Sequence, residues 1–149
     1  MEQTQSTLTS DSSQTESETL LMVTFKLGDS DYGIDTARVQ EVVRPVSLTP
    51  VHHAPPWLIG IRNLRGRIIS IIDLGVRLGL KKCEEHPENR IIIVDWQGET
   101  IGLLVDIVGD SIETEVSKLA PSAQKKYLRG VCHSGDRLVA ILDLDEILQ

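Results

Sequence analysis

The chain has 149 residues, 40% hydrophobic and 25% charged, which suits one ordinary domain or two small halves sharing a core. Aromatic residues make up only 3%, so that core is expected to be built from Val, Ile and Leu. A net charge of −7 counts against nucleic acid and anionic membrane surfaces, both of which call for a basic face. No apolar run approaches the roughly 20 residues of a membrane-spanning helix, and the N-terminus lacks the basic-then-apolar order of a signal peptide. A cytoplasmic location is therefore expected, with Cys83 and Cys132 as reduced thiols.

Residues 1–19 are rich in Ser, Thr, Gln and Glu and read as a disordered acidic tail, because they offer too little apolar surface to offset ordering entropy. Order is expected from Leu20. Leu21, Val23, Phe25 and Leu27 alternate with Met22, Thr24 and Lys26, the period of a strand with one buried face. A turn at 28–31 leads to a short strand, Tyr32-Gly33-Ile34. Asp35 or Thr36 can cap a helix whose apolar face is Val39, Val42 and Val43, stopped near Arg44 by Pro45.

The organising stretch is Leu58 to Leu74. Two apolar runs rich in β-branched residues flank Arg65-Gly66 and predict a hairpin, with its second strand buried on both faces after Arg67. Its polar residues, Arg62, Asn63, Arg65 and Arg67, gather at the tip. Residues 75–80 suit a helical turn. Arg90–Trp96 and Thr100–Val105 form a further hairpin about Gln97-Gly98, and 106–115 continues extended with Val108, Ile112 and Val116 inside. After a loop at 121–126, Tyr127–Cys132 and Leu138–Leu142 pair about Gly135-Asp136, and Asp143 caps a last turn ending at Leu148.

Residues 66–74 and 136–144 share one pattern: a turn residue, Arg, five apolar or small residues, then Asp-Leu. With Gly33 and Gly102 at matching places upstream, this suggests two copies of one small β unit, and a pair of closed barrels sharing a seam fits it. The expected fold is mostly β: two five-stranded SH3-like barrel subdomains with a hydrophobic seam and a few short helices. The folded domain is expected over 20–149, with halves near 20–82 and 88–149 and strands open to exchange at the seam.

No nucleophile elbow, P-loop or dinucleotide fingerprint is present. Cys83 and His86 have a C-x-x-H spacing, but Cys132 and His133 are adjacent and a second paired spacing is missing, so no metal and no other cofactor is expected. Asp73 and Asp143 precede Leu in a capping context, which explains them without chemistry.

Tyr32-Gly33-Ile34-Asp35, Val39-Gln40-Glu41-Val42, Gly60-Ile61-Arg62-Asn63-Leu64-Arg65-Gly66, Ile71-Ile72-Asp73-Leu74, Gly102-Leu103-Leu104-Val105-Asp106 and Leu142-Asp143-Leu144 together resemble the CheW family of bacterial chemotaxis adaptors. The resemblance covers about Leu20 to Leu148, and Ser70 stands where that family usually has Pro. It implies a non-catalytic scaffold, cytoplasmic and recruited to receptor arrays, that couples the cytoplasmic tip of a methyl-accepting chemoreceptor to the regulatory domain of the histidine kinase CheA. By matching positions it implies receptor contact at Thr36, Val39, Glu41, Gly60, Arg65 and Gly66. It implies kinase contact on the second barrel around Gly102, Val105 and Asp106. The alternative is an adaptor of the same family serving a non-flagellar system such as surface motility, biofilm or second-messenger control. Neither reading involves nucleic acid or insertion into a membrane.

Overall fold

The computed structural model describes residues 18–115 and 126–149. The tail expected at 1–19 (apart from its last two residues), the inward Val116 and most of the loop at 121–126 lie outside the described residues.

Ten strands are present among the described residues: β1 Thr19–Leu27, β2 Ser30–Asp35, β3 Val39–Val43, β4 Leu58–Leu64, β5 Arg67–Asp73, β6 Arg90–Trp96, β7 Glu99–Val105, β8 Ile107–Glu115, β9 Leu128–Ser134 and β10 Arg137–Leu142. Two short helices, α1 Leu74–Arg77 and α2 Leu144–Leu148, each follow a strand and an Asp. Asp73 accepts from the Val76 N–H, and Asp143 from the N–H groups of Asp145 and Glu146. Both are N-caps, as their context predicts.

The strands form two five-stranded sheets, in the orders β8-β1-β2-β10-β9 and β3-β6-β7-β5-β4. These orders correspond strand for strand. In each sheet a hairpin (β1–β2 or β6–β7) meets a second hairpin (β10–β9 or β5–β4) through a parallel pair, β2 with β10 and β7 with β5. Gly33 lies opposite Ile141 and Gly102 opposite Ile71, so the matched glycines hold matched registers. The hairpins are exchanged, however. β1 and β2 pair with strands from the far end of the chain, and β6 and β7 with strands before residue 82, so neither sheet is a continuous stretch of sequence.

The subdomains are SH3-like, but the ladders are open rather than closed. β8 and β9 are the edges of one sheet, β3 and β4 those of the other. A single antiparallel bridge, Thr49 to Ile61, runs along the outer side of β4 and partly covers that edge.

Three buried clusters hold this arrangement together. Leu20, Met22, Cys132, Val139 and Ile141 fill the first subdomain; Ile69, Ile71, Ile91, Ile93 and Leu104 fill the second. Between them Phe25, Ile34 and Leu142 of the first sheet meet Ile72, Ile92, Val94, Leu103 and Val105 of the second, with Leu74, Leu144 and Ile147 from the helices. The run Ile91-Ile92-Ile93-Val94 is apolar throughout because alternate residues serve a subdomain interior and the shared seam.

Three local expectations fail, each for a physical reason. In β1 the buried face begins as Leu20, Met22 and Thr24 and switches to Phe25 and Leu27, leaving Leu21 49% exposed. The switch follows from which cluster each face meets: Leu20 and Met22 enter the first subdomain, whereas Phe25 and Leu27, on the other face of the same uninterrupted pleat, enter the seam. The helix expected after Thr36 is only a 3-10 turn, Thr36–Arg38, and Val39–Val43 is a strand paired with β6. Five residues cannot separate the two periods, and β-branched valines favour the pleated alternative. In β5, Ile68 and Ser70 are exposed, and burial on both faces begins only at Ile71, because the outer half of this hairpin projects beyond the seam.

Candidate functional site

The tip of the β4–β5 hairpin is a two-residue turn in which Arg65 (φ 52°) and Gly66 (φ 85°) both take left-handed backbone angles. Glycine adopts these freely; arginine does so at a cost of about 1–2 kcal/mol. The Asn63 side chain supports the turn by accepting from the Gly66 N–H at 2.8 Å. Gln97 (φ 51°) and Gly98 (φ 80°) make an equivalent turn between β6 and β7.

The Arg65 guanidinium turns back across the second subdomain and forms a forked ion pair with the Glu41 carboxylate on β3. β3 and β4 are opposite edges of that sheet, so the pair exists only because the sheet curls. Gly60 and the 44–50 segment produce the curl. Thr49 exchanges two 2.8 Å backbone hydrogen bonds with Ile61, and a Cβ at Gly60 would lie 2.6 Å from the Thr49 carbonyl oxygen. Arg62 adds a hydrogen bond to the Arg44 carbonyl oxygen at 2.5 Å. Gly60 is therefore a site of close backbone approach that brings the edge carrying Glu41 beneath Arg65.

The structure thus brings Glu41 to Arg65 in the turn that Gly66 completes, while Gly60 lies further back along β4 against Thr49. The Arg65 side chain is 68% exposed and that of Glu41 29%, so the pair is a half-covered surface feature. Thr36 and Val39 enter the same β3 ribbon from the seam. Val39 is half-buried against the seam cluster, and the Thr36 hydroxyl is buried without a hydrogen-bond partner.

The residues expected to meet a kinase are placed differently. Gly102 and Val105 belong to β7, in the sheet of β3–β5 rather than in a separate second barrel. Val105 is fully buried in the seam. A Cβ at Gly102 would fall 2.6 Å from Ile71 Cδ1 and 2.7 Å from Ile91 Cγ2, so its lack of a side chain serves packing. Neither offers side-chain surface to a partner. Asp106 is half-exposed; its carboxylate accepts from the Gly28 N–H at 2.7 Å and so ties β7 to the β1–β2 turn.

Asp106 lines a cleft of about 540 Å³ with Gly28, Tyr32, Asp73, Cys83 and Asn89. Burial, reinforced by hydrogen bonding to Asp106 and by the negative charges of Asp106, Asp73 and Glu84, pushes the Cys83 thiol up to about 12. Burial also pushes the Cys132 thiol up. Both are poor nucleophiles at neutral pH. They belong to different subdomains: Cys83 is half-buried against the Ile69 and Ile71 cluster, and Cys132 is buried with Met22 and Val139.

Two features escape sequence reading. The Glu41–Arg65 pair joins residues 24 apart on different edges and has no local signature. Ile68 is 63% exposed beside the same tip; its alternation with Ser70 was the available signal, masked by the apolar run that follows.

Two interleaved SH3-like sheets, one carrying an arginine-tipped hairpin, define the class of fold. A family model described as the CheW-like domain matches residues 21–149. The chain belongs to this CheW-like family. It is 29% identical over 132 residues to the chemotaxis protein CheW of Rhizobium meliloti (strain 1021), covering 85% of each chain. It is 29% identical over 137 residues to CheW of Helicobacter pylori, covering 89% of this chain and 83% of the relative. Protein FrzA of Myxococcus xanthus is 26% identical over 132 residues, covering 84% and 82%. The crystal structure of the scaffolding protein TtCheW from Thermoanaerobacter tengcongensis superposes with a TM-score of 0.81 at 33% identity, covering 87% of this chain and 88% of that one.

Proposed function

We propose that this protein is a non-catalytic scaffold that couples chemoreceptors to the histidine kinase CheA in a chemotaxis signalling array. The observation that carries the reading, beside family membership, is the exposed Arg65 held by Glu41 at an unfavourable backbone angle. In this reading the receptor's helical hairpin lies along the surface formed by Thr36, Val39, Glu41 and Arg65, an amphipathic helix against a groove. Gly60 and Gly66 set the shape of that surface. The kinase meets the region around Asp106, with Gly102 and Val105 acting through the position of β7 rather than by contact. Each contact is modest, so avidity in the array comes from repetition. The likeness to FrzA favours a second reading, an adaptor of the same kind in a non-flagellar chemosensory system.

Co-sedimentation with a receptor cytoplasmic fragment and CheA, with kinase activity as readout, tests the scheme. Arg65→Ala should weaken receptor binding at least tenfold, about 1.4 kcal/mol. It should alter folding stability by no more than about 1 kcal/mol, since an exposed ion pair contributes little. Unchanged receptor affinity removes Arg65 from its assigned role.

A further inference from the structure

Trp57 and Tyr127 hold matching places in the two halves. Each immediately precedes the first strand of a hairpin, and each backbone carbonyl accepts the N–H of the capping aspartate at that hairpin's other end, Asp73 at 2.8 Å and Asp143 at 2.7 Å. Both rings face one cation. Arg77 Cζ lies 5.6 Å from the Trp57 ring centroid and 5.1 Å from that of Tyr127, and Nη1 donates to the Tyr127 hydroxyl at 2.7 Å. Among the described residues Arg77 makes no ion pair with a carboxylate.

Arg77 is itself fixed at its base. It ends α1, whose cap is Asp73, and Asp73 is bonded to the Trp57 carbonyl. The guanidinium therefore extends from the β4–β5 side of the molecule to the β9–β10 side. Its counterpart in the second half is Ile147, which is buried in the seam, so the connection is made once and in one direction. Tyr127 carries φ 72°, an angle that a bulky residue holds only when its surroundings impose it. The Arg77 hydrogen bond also lowers the Tyr127 phenol from its ordinary value. Arg77 and Trp57 line a groove beside Ile68, and Tyr127 lines the matching groove beside Leu138; these are the exposed apolar residues of the two hairpins.

We propose that Arg77 is a latch across the seam that couples the β4–β5 hairpin to the β9–β10 hairpin, so that displacement of one is felt by the other. The latch rests on the preceding functional reading only in taking the β4–β5 tip as the receptor end.

The decisive experiment is a cycle in the full chain. Trp57→Leu and Tyr127→Leu are made singly and together, with Arg77 present and in the Arg77→Leu background, and the unfolding constant is measured in urea. With Arg77 the two substitutions should be non-additive by about two- to fivefold. In the Arg77→Leu background they should be additive. Additivity with Arg77 present overturns the latch, and so does non-additivity that survives its removal. If a double variant does not fold, Tyr127→Phe in a Trp96→Phe background replaces it, with Trp57 as the one tryptophan. Loss of the hydroxyl should change Trp57 emission, and that change should vanish with Arg77→Leu; unaltered emission overturns the latch. Adding a receptor fragment should shift the amide resonances of residues 128–142 in the parent and not in Arg77→Leu. If no fragment binds at all, the functional reading fails while the cycle still decides the latch.

Discussion

Replacing Gly102 by Ala separates packing from partner contact at a position that family resemblance assigns to the kinase. The new methyl would stand 2.6 Å from Ile71 Cδ1 and 2.7 Å from Ile91 Cγ2. Both isoleucines are fully buried in the subdomain interior, and each must retreat by about 0.8 Å to reach ordinary contact. Overpacking of this kind costs about 1–3 kcal/mol. Gly33 is the built-in control: it holds the equivalent register in the other sheet, yet a methyl there meets Met22 Sδ and Val139 Cγ1 at 3.4 Å. Gly33→Ala should therefore be neutral, or stabilising by up to about 1 kcal/mol because alanine loses less backbone entropy than glycine. Equilibrium urea unfolding reads both. With a slope of about 2 kcal/mol per molar, Gly102→Ala should unfold about 1 M earlier than Gly33→Ala. If instead Gly102→Ala unfolds at the parental midpoint yet no longer binds the kinase, Gly102 faces the partner and the packing argument is wrong.

Asp73→Ala should cost about 2–3 kcal/mol, because it removes a buried acceptor serving both the Val76 and Cys83 N–H groups, whereas Asp143→Ala, at a half-exposed cap, should cost about 1 kcal/mol. Equal losses in thermal unfolding would show that Asp73 does no more than end a helix. Cys83 should react with iodoacetamide in the folded protein only as pH approaches 12, while an ordinary thiol is half-ionised at 9.0. The fold favours the protonated thiol, so its contribution is complete below pH 9 and is lost as pH rises from about 9 to about 12; alkylation with a midpoint near 9 would contradict the burial. Arg65→Gly should be more stable than Arg65→Ala by about 1 kcal/mol, since only glycine relieves φ 52°, yet both should lose receptor binding alike. A glycine variant no more stable than the alanine one would remove the evidence for strain at the tip.

What could be read from the sequence was local. The turns at Arg65-Gly66, Gln97-Gly98 and Gly135-Asp136 announce themselves because each contains a glycine, which takes positive φ freely, and the apolar runs beside them fix the hairpins. The caps at Asp73 and Asp143 follow from the same short-range logic. The strand β3 was hidden because Val39, Val42 and Val43 fit a helical period, whereas in the strand Val42 falls on the exposed face. The switch of faces in β1 was hidden because it depends on the seam, built from strands far away in sequence. The exchange of hairpins between sheets rests on the parallel pairs β2–β10 and β5–β7, which carry no local signal. At the site the same division holds: Arg65 and Glu41 could be named singly, but their pairing follows from the curl that Gly60 permits, and the burial of Val105 from the seam.

The internal repeat explains why partner specificity should be concentrated at one tip. The two hairpins share a fold, a capping aspartate and an aromatic entry residue, so these features cannot distinguish one partner from another. Their charges do differ. In the β9–β10 hairpin the turn is Gly135-Asp136, and Arg137 lies 3.6 Å from Asp31 on the neighbouring strand, which Lys26 also meets at 3.2 Å. In the β4–β5 hairpin the place of Asp31 is taken by Thr100, and Arg67 has no ion pair among the described residues. Arg65 adds a second cation at the tip, held by Glu41 from one side only. Beside its turn one hairpin pairs its arginine with Asp31, while the other presents Arg67 without an ion pair among the described residues, beside an exposed Ile68. A partner offering carboxylates around an apolar ridge can therefore tell the halves apart, although their backbones follow the same plan.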